Sequence, residues 1–122
     1  MYVDVDFLLA LVKDEDWLAG RAERIYREYA DALWTSPYAL VELMLVAYRE
    51  DRNVARIIAN ATDLVGVRGN AESIHTAVQY VADDGFTPFD AIHLVESAGS
   101  PIVSSDDSYD EFSERVALES SE

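Results

Sequence analysis

Short apolar runs alternate along the chain with longer stretches in which apolar residues recur every three or four positions. The first pattern is that of a strand buried on both faces, the second that of an amphipathic helix. Met1–Val5 reads as a short strand, apolar on both sides of Asp4. Phe7–Val12 continues as an apolar helix start, with Asp6 placed to cap it. Trp17, Leu18, Ala22, Ile25 and Tyr29 carry helical spacing through Asp16–Ala30. Ala32–Thr35 is a second short strand. Ser36-Pro37 opens a helix, Ser at the cap and Pro at the first helical position, that runs to about Glu50. Asn53–Ala61 is a further helix, and Leu64–Val67 a third strand closed by Gly69. Asn70–Ala82 is helical and stops before Asp83-Asp84-Gly85. Thr87-Pro88 opens another helix that ends at Ala98-Gly99. Pro101–Ser104 is a fourth strand, Asp106–Phe112 a short helix and Arg115–Leu118 a last strand.

Strands alternating with helices predict an α/β fold. Its central, mainly parallel sheet has four or five short strands, with helices on both faces in three layers. The expected organisation is a single domain over residues 1–122, long enough to bury a real core. In such sheets a ligand site lies beyond the carboxyl ends of the strands.

Composition narrows the function classes. Half of the residues are hydrophobic, which excludes a disordered acidic tail. No apolar run approaches the roughly 18–20 residues of a membrane span, because Glu42 interrupts the longest, Ala39–Tyr48. The N-terminal residues lack the positive region of a secretory signal, so a cytoplasmic location is expected. With no cysteine there is neither a disulfide frame nor a thiolate metal site. The net charge is −15, and the cations are eight arginines against one lysine, Lys13. That balance resembles proteins of salt-loving archaea, where molar salt cuts the Debye length to about 3 Å. Most of the acids therefore read as a solvated surface.

Four acids do not. Asp4 sits inside an apolar strand, where an unpaired carboxylate is costly. Glu42 is the one charge in the helical run 39–45, too far along to cap it. Asp90 is flanked by Phe89, Ala91 and Ile92, and Asp106 follows the strand Pro101–Ser104. Each has a local alternative. Thr87 and Asp90 have the spacing of a capping box, and Asp106 suits the N-terminus of the helix after it. Two of the four fall at strand ends and two near helix starts, on what would be one edge of one sheet. Converging carboxylates stay charged together when a cation lies between them. Oxygen donors suit Mg²⁺ or Mn²⁺, the ions of phosphodiester cleavage.

In these four places the chain resembles the PIN domain family, metal-dependent ribonucleases that include the VapC-type toxins. Val3-Asp4-Val5-Asp6-Phe7-Leu8-Leu9 is similar to the family's first motif, and Ser36–Leu43 to the second, which carries Glu42 on a helix. Asp90-Ala91-Ile92-His93-Leu94 matches the third, and Ile102–Asp110 is similar to the fourth. Position 6 departs from the family, which often has Asn or Ser where this chain has Asp. The resemblance implies metal-ligating and catalytic roles for Asp4, Glu42, Asp90 and Asp106. It adds Asp110 as a further candidate ligand and leaves Asp107 as the rival of Asp106. Ser104 and Ser105 are candidates to orient water or phosphate. His93 is read as a helix residue that helps hold the next turn rather than as a base, and His75 carries no site signal.

The implied activity is hydrolysis of RNA to a 5′-phosphate and a 3′-hydroxyl by water activated at a Mg²⁺ or Mn²⁺ site. The implied partners are RNA, a cognate antitoxin and a second copy of the chain as a homodimer. Arg49 and Arg52 are candidate phosphate contacts, against the alternative of salt pairing with Glu50 and Asp51. Trp17, Leu18, Tyr26, Trp34 and Tyr38 either form a partner surface or belong to the core. Two alternatives stay open, a PIN fold that only binds and a stand-alone nuclease without an antitoxin. A receiver-like phosphoacceptor would explain Asp4 and Asp6 as an acid pair. It would leave Glu42 and Asp90 unexplained and lacks its lysine.

Overall fold

Asp4 decides how the chain begins. In the computed structural model, which describes residues 1–13 and 17–119, its backbone is extended and its side chain accepts from the Val5 amide at 2.7 Å. Strand β1 is therefore only Tyr2–Val3, and helix α1 runs Val5–Val12. The cap is Asp4, not Asp6 as the sequence pattern predicts. Two acids spaced by one residue can each cap, and the shorter strand puts the first one at the boundary.

The remaining elements follow the predicted order with shifted ends. Helix α2 is Ala19–Tyr29, continued by a 3-10 turn at Ala30–Ala32. The predicted helix start at Asp16 lies outside the described residues. Strand β2 is Trp34–Thr35 and helix α3 is Pro37–Arg49, capped by Ser36 through the Ala39 amide. Asn53 caps α4, Val54–Leu64, which ends three residues later than predicted. Strand β3 is Gly66–Val67. Helix α5 is Ser73–Asp84, ended by Gly85 at φ 75°, a left-handed cap that glycine adopts without a Cβ clash. Thr87 caps α6, Pro88–Ser97. Strand β4 is Ile102–Ser104 and β5 is Arg115–Ala117. Between them the predicted helix over Asp106–Phe112 is reduced to a 3-10 turn at Asp107–Tyr109, with Asp106 accepting from the Ser108 amide.

The sheet is parallel throughout, in the order β3-β2-β1-β4-β5. Tyr2 is in register with Trp34 on one side and Ile102 on the other. The chain leaves β1 toward β2 and later returns to its other side as β4. The crevice at the carboxyl ends of β1 and β4 is thus the switch point at which open α/β sheets bind ligands. Alternation along the strands divides the core. Val3 and Val103 pack with Phe7, Leu8, Ile25, Leu43 and Ile57 from α1 to α4. Tyr2 and Ile102 face the opposite layer, with Ala77, Phe86, Ala91, Leu94 and Tyr109. Gly69 lets the loop before α5 reach the start of α3, since a Cβ there would come within 2.8 Å of Pro37. No helix among the described residues is long and apolar enough to cross a membrane.

Candidate metal centre at the carboxyl edge of the sheet

Asp4 ends β1 at the crevice and is almost wholly buried. A carboxylate there needs donors on every side, and it has them. Oδ1 accepts from the Val5 amide, and Oδ2 accepts from Ser104 Oγ at 3.0 Å and Tyr109 Oη at 3.2 Å. His93 Nε2 stands 3.5 Å from Oδ1. Burial, the largest effect, raises the Asp4 pKa, and His93 and the Val5 amide oppose it.

Glu42 reaches the same place from α3. His93 Nε2 meets its Oε1 at 2.7 Å. Asp4, Glu42 and His93 offer ligand atoms within 4.8 Å of one another. Asp90 sits one turn before His93 on α6, which puts both on one helix face. Its Oδ1 accepts from Tyr109 Oη at 3.3 Å. The Asp90 pKa is raised, first by burial and then, against the Thr87 hydrogen bond, by Asp106 and Glu42. Asp106 stands at the rim, its amide donating to Ser104 Oγ at 3.0 Å. Ser104 thus links Asp4 to the Asp106 backbone. The bland reading of Asp106 as a local cap also holds, since it caps the 3-10 turn.

The sequence reading of His93 is corrected by this geometry. The residue is fully buried, and it bridges the acids instead of merely packing the helix. Burial lowers its pKa, but the Glu42 hydrogen bond and the charges of Asp4, Glu42 and Asp90 together raise it. Both ring nitrogens are engaged. Nδ1 lies 2.6 Å from Tyr2 Oη, and Tyr2 Oη lies 2.9 Å from Ser36 Oγ. Glu42 is therefore held by a buried chain that ends at the cap of its own helix. Tyr2 and Tyr109 carry no site signal in the sequence, where each reads only as a core aromatic.

The other candidates are placed elsewhere. Asp110 is exposed and taken up by Arg115, Nε to Oδ1 at 2.8 Å. Asp107 is exposed at the start of the 3-10 turn. Ser104 is fully buried, with its hydroxyl on Asp4. Asp6 turns from capping to bracing the β4 loop, its Oδ2 accepting from the Ser105 amide at 2.8 Å and from the Ser105 hydroxyl. Burial and the nearby Asp4 push the Asp6 pKa up to about 6. Arg52 is paired with Glu50 at 2.8 Å, the salt-pairing alternative. Arg49 lies at the far end of α3, roughly 10 Å along the helix axis from Glu42. Of the five residues offered as a partner surface or core, Leu18 is core, while Trp17 is 81% exposed.

The donor set fits a hard divalent cation. Oxygens of Asp4 and Glu42 come from separate elements and meet beside His93, Asp90 reaches them through Tyr109, and ionisation of Asp4 and Asp90 is opposed by burial and by neighbouring acids. Asp6 Oδ1, buried beside Asp4, has no hydrogen-bond partner. Beside Asp90 and Asp106 opens a cavity of about 470 Å³, lined also by Phe86, Thr87, Ser108 and Phe112.

Comparison with known proteins agrees with this architecture. The family described as PIN domain matches residues 1–115. Among solved structures, the fold is similar to VapC20 of Mycobacterium tuberculosis, a toxin that cleaves the sarcin-ricin loop. The similarity has a TM-score of 0.75 at 19% identity, over 90% of this chain and 92% of that one. No curated protein matches the chain in sequence.

Proposed function

We propose, from the premise that this chain belongs to the PIN domain family, that it is a metal-dependent endoribonuclease and the toxin of a toxin–antitoxin pair. The observation that carries this reading is the convergence of Asp4, Glu42 and Asp90 on His93 and Tyr109 at the β1–β4 crevice. Asp4, Glu42, Asp90 and Asp106 would hold Mg²⁺ or Mn²⁺. Such an ion stabilises charge on phosphodiester oxygens and makes water more acidic. The protein's own groups then have limited tasks. His93 offsets the charge of Glu42 and Asp4 and fixes the Glu42 carboxylate. Ser104 and Tyr109 fix Asp4. The cavity beside Asp90 gives an RNA strand room, with Phe112 exposed as a face for a base. Hydrolysis would leave a 5′-phosphate and a 3′-hydroxyl. Control by an antitoxin belongs to the same proposal, since the fold is similar to that of a solved toxin.

A homodimer belongs to the same reading. Ile74, Val78 and Val81 are exposed on α5, and residues 73–82 contain no charged side chain. Two copies that each carry −15 would meet where charge is absent. Sedimentation in molar KCl is expected to give twice the chain mass, and a monomer at all concentrations would sink that part.

The test of the site is Mn²⁺ calorimetry in molar KCl, wild type beside Asp90→Asn. The variant should keep its fold and lose Mn²⁺ binding. With it should go RNA cleavage and any growth arrest caused by expressing the chain. A variant that binds Mn²⁺ and cuts RNA as the wild type does would remove the assignment.

A further inference from the structure

Asp4 and Asp90 come from opposite ends of the chain and meet on one phenol. Tyr109 is fully buried, its ring stacked on Phe86 with centroids 6.2 Å apart. A phenylalanine would fill the same volume and make the same stack, so packing does not call for the hydroxyl. A buried phenol needs a partner. Here the partners are two carboxylate oxygens, Asp4 Oδ2 at 3.2 Å and Asp90 Oδ1 at 3.3 Å. The other donors have different reach. Ser104 donates to Asp4, and His93 joins Glu42 to Asp4. Thr87 acts within the first turn of α6. Tyr109 is the side chain that ties Asp90 to Asp4. Its own pKa is raised, by burial first and then by Asp4, Asp90 and Asp106, so the hydroxyl keeps its proton to donate.

Resting on the reading that these acids hold a divalent cation, we propose that Tyr109 is a positioning residue. Its hydroxyl bridges Asp4 and Asp90 and holds the two carboxylates at one spacing before the cation arrives. Two anions with no shared donor repel and turn apart, and binding would then have to order them. Groups that orient metal ligands in this way are worth about 10–100-fold in metal affinity.

The experiment is a Mn²⁺ titration by calorimetry of the full chain in molar KCl. The proteins are wild type, Tyr109→Phe, Ser104→Ala and Asp90→Asn, each with its metal-free melting curve. Tyr109→Phe is expected to stay folded without metal and to bind Mn²⁺ about 10–100-fold more weakly. Ser104→Ala, which removes a donor from Asp4 and the acceptor of the Asp106 amide but leaves the Asp90 contact in place, is expected to lose less. Wild-type affinity in Tyr109→Phe, or a loss no larger than that of Ser104→Ala, would overturn the bridge. So would a Tyr109→Phe protein that unfolds or melts early while its folded fraction binds normally, because the hydroxyl would then serve the fold. The two readings fail separately. A wild type that binds no Mn²⁺ ends the cation site and the bridge together, whereas binding lost in Asp90→Asn but kept in Tyr109→Phe ends the bridge alone.

Discussion

One face of the sheet is packed by Val3, Leu8, Ile25, Leu43, Ile57 and Val103, with Phe7 the one aromatic among its fully buried side chains. The other is packed largely by rings, Tyr2, Phe86 and Tyr109, with Trp34 and Tyr80 beside them. Both layers exclude water. They differ in what their side chains end in. These aliphatic side chains end in no polar atom, so their contribution is area and fit. The aromatic layer carries two hydroxyls into the interior, and both end at the acid cluster. Tyr109 meets Asp4 and Asp90 directly, and Tyr2 meets His93, which meets Glu42. One layer fixes where the strands lie, and the other also fixes where the carboxylates point.

That division predicts separable losses. Ile25 lies on α2 in the aliphatic layer, 1% exposed. Ile25→Ala should cost about 2–5 kcal/mol, from lost transfer energy and the cavity left behind. A urea titration should move its midpoint without changing the slope. Mn²⁺ affinity of the folded protein should stay at the wild-type value, because no hydrogen bond to an acid passes through Ile25. A variant that lost affinity along with stability would show that the layers are coupled.

The same contrast explains what could be read from the sequence. The aliphatic layer is a pattern of spacing, and spacing is local. Ile25, Leu43 and Ile57 each sit in a helix that their own neighbours predict. The acids were legible for a related reason: Asp4, Glu42 and Asp90 are charges in apolar surroundings, and the cost of burying them marks them. The groups that satisfy them carry no such mark. Tyr109 has the appearance of any core aromatic, and the partner of its hydroxyl is 105 positions away. His93 resembles a histidine on an apolar helix until α3 is laid beside α6. Element ends failed where two local signals competed. Asp4 and Asp6 are both good caps, and Asp106 caps a 3-10 turn as well as it would a helix.

A smaller effect is expected on the aromatic side. Tyr2→Phe keeps a ring in the same place, edge-on to Trp34 at 5.1 Å. It removes one oxygen that lies between His93 Nδ1 and Ser36 Oγ. A buried ring nitrogen left without its partner costs roughly 1–3 kcal/mol. The imidazole loses one of its two ring-nitrogen partners and is held less firmly. Glu42 still has the Nε2 contact at 2.7 Å. The expected result is a lower melting temperature with a modest fall in Mn²⁺ affinity, smaller than in Tyr109→Phe, because Tyr2 touches no carboxylate. Calorimetry and thermal melting on the two variants side by side decide it. Equal losses of affinity would mean that the two hydroxyls act as one network through His93 and Asp4. The aromatic layer would then position the acids as a unit, instead of one carboxylate pair at a time.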